Sequence, residues 1–250
     1  MGRDSLQSKY MSTAELKVDL VEKFKTKAYL LRQNQSYKEA ATNYLNSALI
    51  DRSDVQTYLG LGICYKNMGK INKAILTLEK AALLDNNNFE VFYELGLCHI
   101  ENEIPCKAIK CLIRALQINP DSEDAIYQLG IAHELDGDIE MSMMIYQKLI
   151  ENSPGFTKSY ARKALLYKNQ KMYKEALSLY LRLVKFDPNS SRLYLDIATC
   201  FRKLGKLTEE KRYYRKYLSL SPQDKNVAKI LNRVEKIRFK CSRVNNLSLV

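Results

Sequence analysis

Residues 89–122 read FEVFYELGLCHIENEIPCKAIKCLIRALQINPDS, and the apolar spacing within this stretch decides the fold. Phe92, Leu95, Gly96 and His99 fall at i, i+3, i+4 and i+7, one face of a helix. Ala108, Leu112, Ala115 and Leu116 fall at i, i+4, i+7 and i+8, the face of a second one. Pro120 ends the pair, because proline cannot continue a helix and pushes Asn119 out of the helical region. Each apolar stripe is too narrow for its helix to fold alone, and two helices of this length cannot cover each other fully, so the pair needs neighbours. Working outward, Pro120, Pro154, Pro188 and Pro222 stand 34 residues apart.

At that period the chain divides without insertion into six units: 21–54, 55–88, 89–122, 123–156, 157–190 and 191–224. Place four of each unit holds Phe24, Tyr58, Phe92, Ile126, Tyr160 and Tyr194. Places seven and eight are Leu-Gly in the second, third and fourth units, and place eleven is Leu31, Tyr65, His99, His133, Tyr167 and Phe201. Place twenty is Ala40, Ala74, Ala108 and Ala176, with Ser142 and Glu210 as departures. Place twenty-four is Tyr44, Leu78, Leu112, Tyr146, Tyr180 and Tyr214. The small residues suit close helix crossings, and the aromatics fill the adjoining gaps. Gly69, Gly137 and Gly205 share a place between the two helices, where a turn favours positive φ.

This pattern resembles the tetratricopeptide repeat, a 34-residue helix–turn–helix unit. The resemblance implies an all-α, right-handed α-solenoid over residues 21–224. A leader, residues 1–20, precedes it, its first eleven residues expected to be disordered. Ser12 and Glu15 predict a capping box at the start of the first helix. After Pro222, Val227, Ile230, Leu231, Val234 and Ile237 share one face, which predicts a capping helix over 225–240 and leaves a polar tail at 241–250.

Composition narrows the function classes. The chain has 250 residues, 46% hydrophobic, with no run long enough to cross a membrane and no apolar secretory signal at its start. Cys64, Cys98 and Cys200 occupy one repeating place, so they read as small core side chains in a reducing, cytoplasmic setting. There is no Ser/His/Asp set, phosphate loop or ligand spacing for a metal, so neither an enzyme nor a cofactor is expected. His99 and His133 read as packing residues. Net charge is +12, unevenly spread: residues 157–250 hold 23 basic and 7 acidic side chains, whereas 89–156 hold 4 and 12.

The resemblance also implies a binding groove on the exposed face of each first helix. On this sequence that face carries Leu59, Glu90, Tyr93, Glu94, Leu97, Asp124, Tyr127, Gln128 and Glu134, then Lys158, Arg162, Lys168, Arg202 and Lys203. Tyr29, Ile63, Ile131 and Leu165 extend its apolar floor. The expected occupant is a peptide or helix of a partner protein, oriented by the change from acidic to basic. Lys158 and Arg162 match the end of the family's carboxylate clamp, but Gln128, Tyr93 and Leu97 replace its other members. The basic residues between 202 and 243 allow a second reading, nucleic acid or another anionic surface.

Overall fold

The computed structural model describes residues 12–234. Within them the chain is helical throughout, as paired helices joined by short turns. The pairs are α1 (Thr13–Gln33) with α2 (Tyr37–Ile50), α3 (Val55–Asn67) with α4 (Ile71–Leu84), and α5 (Phe89–Glu101) with α6 (Pro105–Ile118). They continue as α7 (Glu123–Asp136) and α8 (Ile139–Asn152), α9 (Thr157–Asn169) and α10 (Tyr173–Phe186), and α11 (Ser191–Lys203) and α12 (Leu207–Leu220). Residues 225–234 are helical as well. The start of the expected leader, the end of the expected capping helix with Ile237, and the expected tail lie outside the described residues.

The chain forms two compact units, divided between Asp138 and Ile139. In the first, α1 to α7 pack each on the next in order, and the first helices α1, α3, α5 and α7 also meet their counterparts directly. In the second, α8 to α12 pack consecutively. Val227 and Leu231 there join Tyr194, Ala198, Tyr214 and Tyr217 in a terminal cluster. The division separates α7 from α8, so the compact units do not follow the 34-residue register.

Local signals account for the helix ends. Ser12 and Glu15 form the reciprocal capping box that opens α1. Asp54, Asn88 and Ser122, all at place thirty-four, accept a backbone N–H from the first turn of the following helix. Asn119 is extended, and α6 stops at Ile118 ahead of Pro120.

Close packing explains the helical glycines. A Cβ on Gly62 would lie 2.5 Å from Leu78 Cγ, and one on Gly96 would lie 2.7 Å from Leu112 Cγ. A Cβ on Gly60 would enter the Tyr44 ring, so this glycine seats α3 against α2. The cysteines behave as expected of core residues: Cys64, Cys98 and Cys200 are free and buried.

Two recurring devices go beyond the sequence reading. Left-handed φ occurs at Gly69, Gly137 and Gly205, and equally at Gln35, Glu103 and Lys171, so every unit turns through the same place. The three side-chain-bearing residues are therefore strained. Glu103→Gly is expected to raise the urea midpoint of the first unit. It relieves a left-handed penalty of about 1–2 kcal/mol against an added chain-entropy cost of about 0.5–1 kcal/mol. The second device joins place four to place twenty-six. Lys80 lies over Tyr58 (4.2 Å), Arg114 over Phe92 (5.8 Å), Arg182 over Tyr160 (4.8 Å) and Lys216 over Tyr194 (5.7 Å). Lys80 Nζ also donates to the Tyr58 hydroxyl at 2.6 Å.

Candidate binding face

In the first unit, α1, α3 and α5 enclose a cleft of about 750 Å³. Leu59, Glu90, Tyr93 and Glu94, all expected at the groove, line it together with Tyr29, Arg32 and Ile63. Tyr29 is half exposed, with the Arg32 guanidinium 5.3 Å from its ring centre. Tyr93 stacks on Phe89, one turn earlier on the same helix, at 5.7 Å and 11°. The i, i+4 spacing on α5 aligns those two rings. Leu59 departs from the expected role: it is 2% exposed and packs in the core with Ala74, Ile75, Leu78 and Val91. It forms the cleft's back wall and offers a partner almost no surface.

Tyr93 also joins α5 to α7. Burial pushes its hydroxyl above the ordinary tyrosine range, the nearby Asp124 and Glu94 carboxylates push the same way, and a hydrogen bond with Gln128 opposes them. Four of the expected site residues are thus in one neighbourhood. Leu97, Tyr127 and Glu134 are half-buried on the same two helices, while Glu90 and Asp124 are exposed.

Some of the charge assigned to the partner is already matched. Lys66 donates to Glu94 at 2.5 Å. Lys168 donates to Asp196 at 2.7 Å, and Arg192 adds a second contact to that carboxylate at 3.2 Å. Lys66 and Lys168 stand at place twelve, and their acids at place six of the following unit. The separation of 28 residues, found twice, was the sequence signal for these pairs. In the second unit, Lys158 is exposed above the Phe156 ring at 5.3 Å, Arg162 is half-buried, and Arg202 and Lys203 are exposed in the last turn of α11.

Lys163 was not anticipated. It sits at place seven, where three other units have leucine, and is only 6% exposed. Its ammonium donates to Gln147 at 2.6 Å, and Gln147 in turn donates to Glu151. Burial lowers the Lys163 pKa, and Glu151 counters part of that effect. A lysine in a leucine place was the signal available in the sequence.

The three core thiols, Cys64, Cys98 and Cys200, are poorly suited to nucleophilic chemistry. Burial pushes Cys64 and Cys200 up to about 11 and Cys98 up to about 12, so all three stay protonated at neutral pH. His99 is buried, which lowers its pKa, and its Nδ1 has no hydrogen-bond partner among the described residues. No helix among those residues is long and apolar enough to cross a membrane.

Family models described as "Tetratricopeptide repeat" match residues 55–88, 157–190 and 191–224, and a second model of that description matches 124–155. Together they take in more than half of the chain. This chain is a tetratricopeptide repeat protein. The unmatched segments 21–54 and 89–122 carry the same turn and pairing of helices.

Solved structures agree on the fold of this tetratricopeptide repeat protein. PilF of Pseudomonas aeruginosa has a TM-score of 0.70 at 15% identity, over 87% of this chain and 99% of that one. MamA from Desulfovibrio magneticus RS-1 has 0.65 at 19%, over 69% and 97%. YrrB, described as a tetratricopeptide repeat protein with an unusual peptide-binding site, has 0.60 at 17%, over 76% and 97%. No curated protein matches the chain.

Proposed function

We propose that this tetratricopeptide repeat protein is a non-catalytic adaptor or scaffold that holds a peptide or helix of a partner protein against its first helices. The observation that carries this reading is the 750 Å³ cleft of α1, α3 and α5, where Tyr29, Ile63 and Tyr93 supply apolar surface. Aromatic side chains on a rigid helix lose little freedom on binding and commonly dominate interface energies. Glu90, exposed at the start of α5, would meet a basic group on the partner, while Glu94, held by Lys66, would contribute shape more than charge. Leu97, Asp124, Tyr127, Gln128 and Glu134 extend the face along α5 and α7. Lys158, Arg162, Lys168, Arg202 and Lys203 form the corresponding basic face of the second unit.

Members of this family generally mediate protein–protein interaction, and YrrB is a structural relative with a peptide-binding site. Buried, protonated thiols fit a reducing, cytoplasmic setting. The test is capture of partners from the native source on immobilised wild-type protein, Tyr93→Ala and Tyr29→Ala. Removing either ring is expected to weaken capture about tenfold, the effect of a hot-spot aromatic worth about 1.4 kcal/mol. Undiminished capture by both variants, with unchanged circular dichroism and melting, would overturn the proposal.

A further inference from the structure

A separate cleft lies within the second unit, and none of the residues expected at the binding groove lines it. It is lined from α10, α11 and α12 and encloses about 560 Å³. Val184, Tyr194 and Tyr213 form its apolar wall, and Arg212, Arg215 and Lys216 form its rim. The rim residues fall at i, i+3 and i+4, so α12 presents all three on one side. Among the described residues, the cleft lining contains no carboxylate.

We infer that this cleft docks a short acidic segment of a partner protein, one that carries aspartate or glutamate beside aliphatic side chains. Charge is the first argument. Lys66, Lys168 and Arg192 are consumed by ion pairs, whereas Arg212 and Lys216, both exposed, make none among the described residues. They are also held in place: Arg212 lies 6.0 Å from the Tyr213 ring centre and Lys216 lies 5.7 Å from that of Tyr194. Residues 202–233 carry ten basic and three acidic side chains, a field that draws an anionic segment toward the rim.

The wall selects among anions. A nucleic-acid strand gains from open ring faces on which bases stack. Here Tyr213 is stacked with Phe201 at 5.3 Å and with Tyr194 at 6.3 Å, and the cations cover remaining faces. No stacking platform is offered. Val184, half-buried at the cleft, instead provides a seat for an aliphatic side chain.

The experiment uses the full chain and a fluorescent peptide of alternating glutamate and leucine, with a glutamine–leucine peptide, a single-stranded oligonucleotide and phosphatidylserine vesicles as competitors. The acidic peptide is expected to bind, and the three competitors to displace it poorly. Arg212→Glu and Val184→Glu should each weaken binding about tenfold or more. Lys185→Glu, an equal charge reversal on α10 outside the cleft, should change it much less. Circular dichroism checks folding, and Arg212→Gln replaces the reversal should that variant unfold. Equal binding of the glutamine–leucine peptide, tighter binding of the oligonucleotide or vesicles, or equal effects at Arg212 and Lys185 would overturn the inference. Tyr93→Ala leaves this cleft intact, so the two sites can fail separately.

Discussion

Leu112→Ala should destabilise the first unit by about 2–5 kcal/mol, and adding Gly96→Ala to that variant should recover part of the loss. Leu112 is fully buried, in one cluster with Ala108 and Ala132 and against Tyr93 and Leu129. Truncating it opens a cavity that its neighbours close only in part. Gly96 is the backbone on which that leucine rests: a Cβ there would meet Leu112 Cγ at 2.7 Å and Cδ2 at 2.8 Å. In the wild type, Gly96→Ala forces a core side chain aside at a cost of about 1–3 kcal/mol. That outweighs the gain of about 0.5–1 kcal/mol from a better helix former. In the Leu112→Ala background the obstruction is gone, and the new methyl fills some of the void. The same substitution should therefore lower the urea midpoint in one background and raise it in the other. A loss of similar size in both would show that Gly96 matters for some reason other than Leu112.

Glu210→Ala should have the opposite sign, stabilising the second unit by about 1–3 kcal/mol at neutral pH. Glu210 occupies place twenty, where four other units have alanine, and is only 4% exposed. One carboxylate oxygen, Oε1, lacks a hydrogen-bond partner among the described residues. Burial raises the Glu210 pKa, and Arg202 and Lys211 only partly counter it. The pH dependence follows from that direction. Between the ordinary glutamate value and the raised native value, the folded state binds more protons than the unfolded one, so stability falls as pH rises through that window. Above it the penalty is fully present; below it the carboxyl is neutral in both states. The advantage of Glu210→Ala should be largest at neutral pH and shrink as pH falls through the carboxylate range. A pH-independent advantage would assign the effect to shape alone.

The repeat architecture was legible because its signals are local and recur. Apolar spacing along 89–122 marked both helices, and Pro120 with Asn119 marked the end. The capping box at Ser12 and the left-handed glycines at 69, 137 and 205 stood where the structure has them. Gln35, Glu103 and Lys171 escaped notice because their side chains do not announce a left-handed turn. The candidate face was only half legible. Family register placed Tyr93 and Glu90 at the cleft, but whether a charge is available depends on what the neighbouring helix offers it. Hence Glu94 and Lys168 read as open to a partner in the sequence, whereas in the structure Lys66 and Asp196 pair with them. Leu59 differs for a related reason: place five is buried in the core at α3 and half-buried at α5. The break after Asp138 had no signal in the period, which runs through it without a change of register.

The cations at place twenty-six have a consequence for how such an array can grow. Each of Lys80, Arg114, Arg182 and Lys216 rests on an aromatic ring of its own unit. A gene segment encoding one unit therefore brings both halves of this contact with it, and the copy can be inserted anywhere without parting that cation from its ring. The Lys66–Glu94 and Lys168–Asp196 pairs behave differently, since each half belongs to a different unit. Shuffling would separate those partners. Lineages that lengthen the array by duplication should keep the first kind of contact and lose or rebuild the second, so the two kinds record different things: what a unit is, and which unit it stands beside.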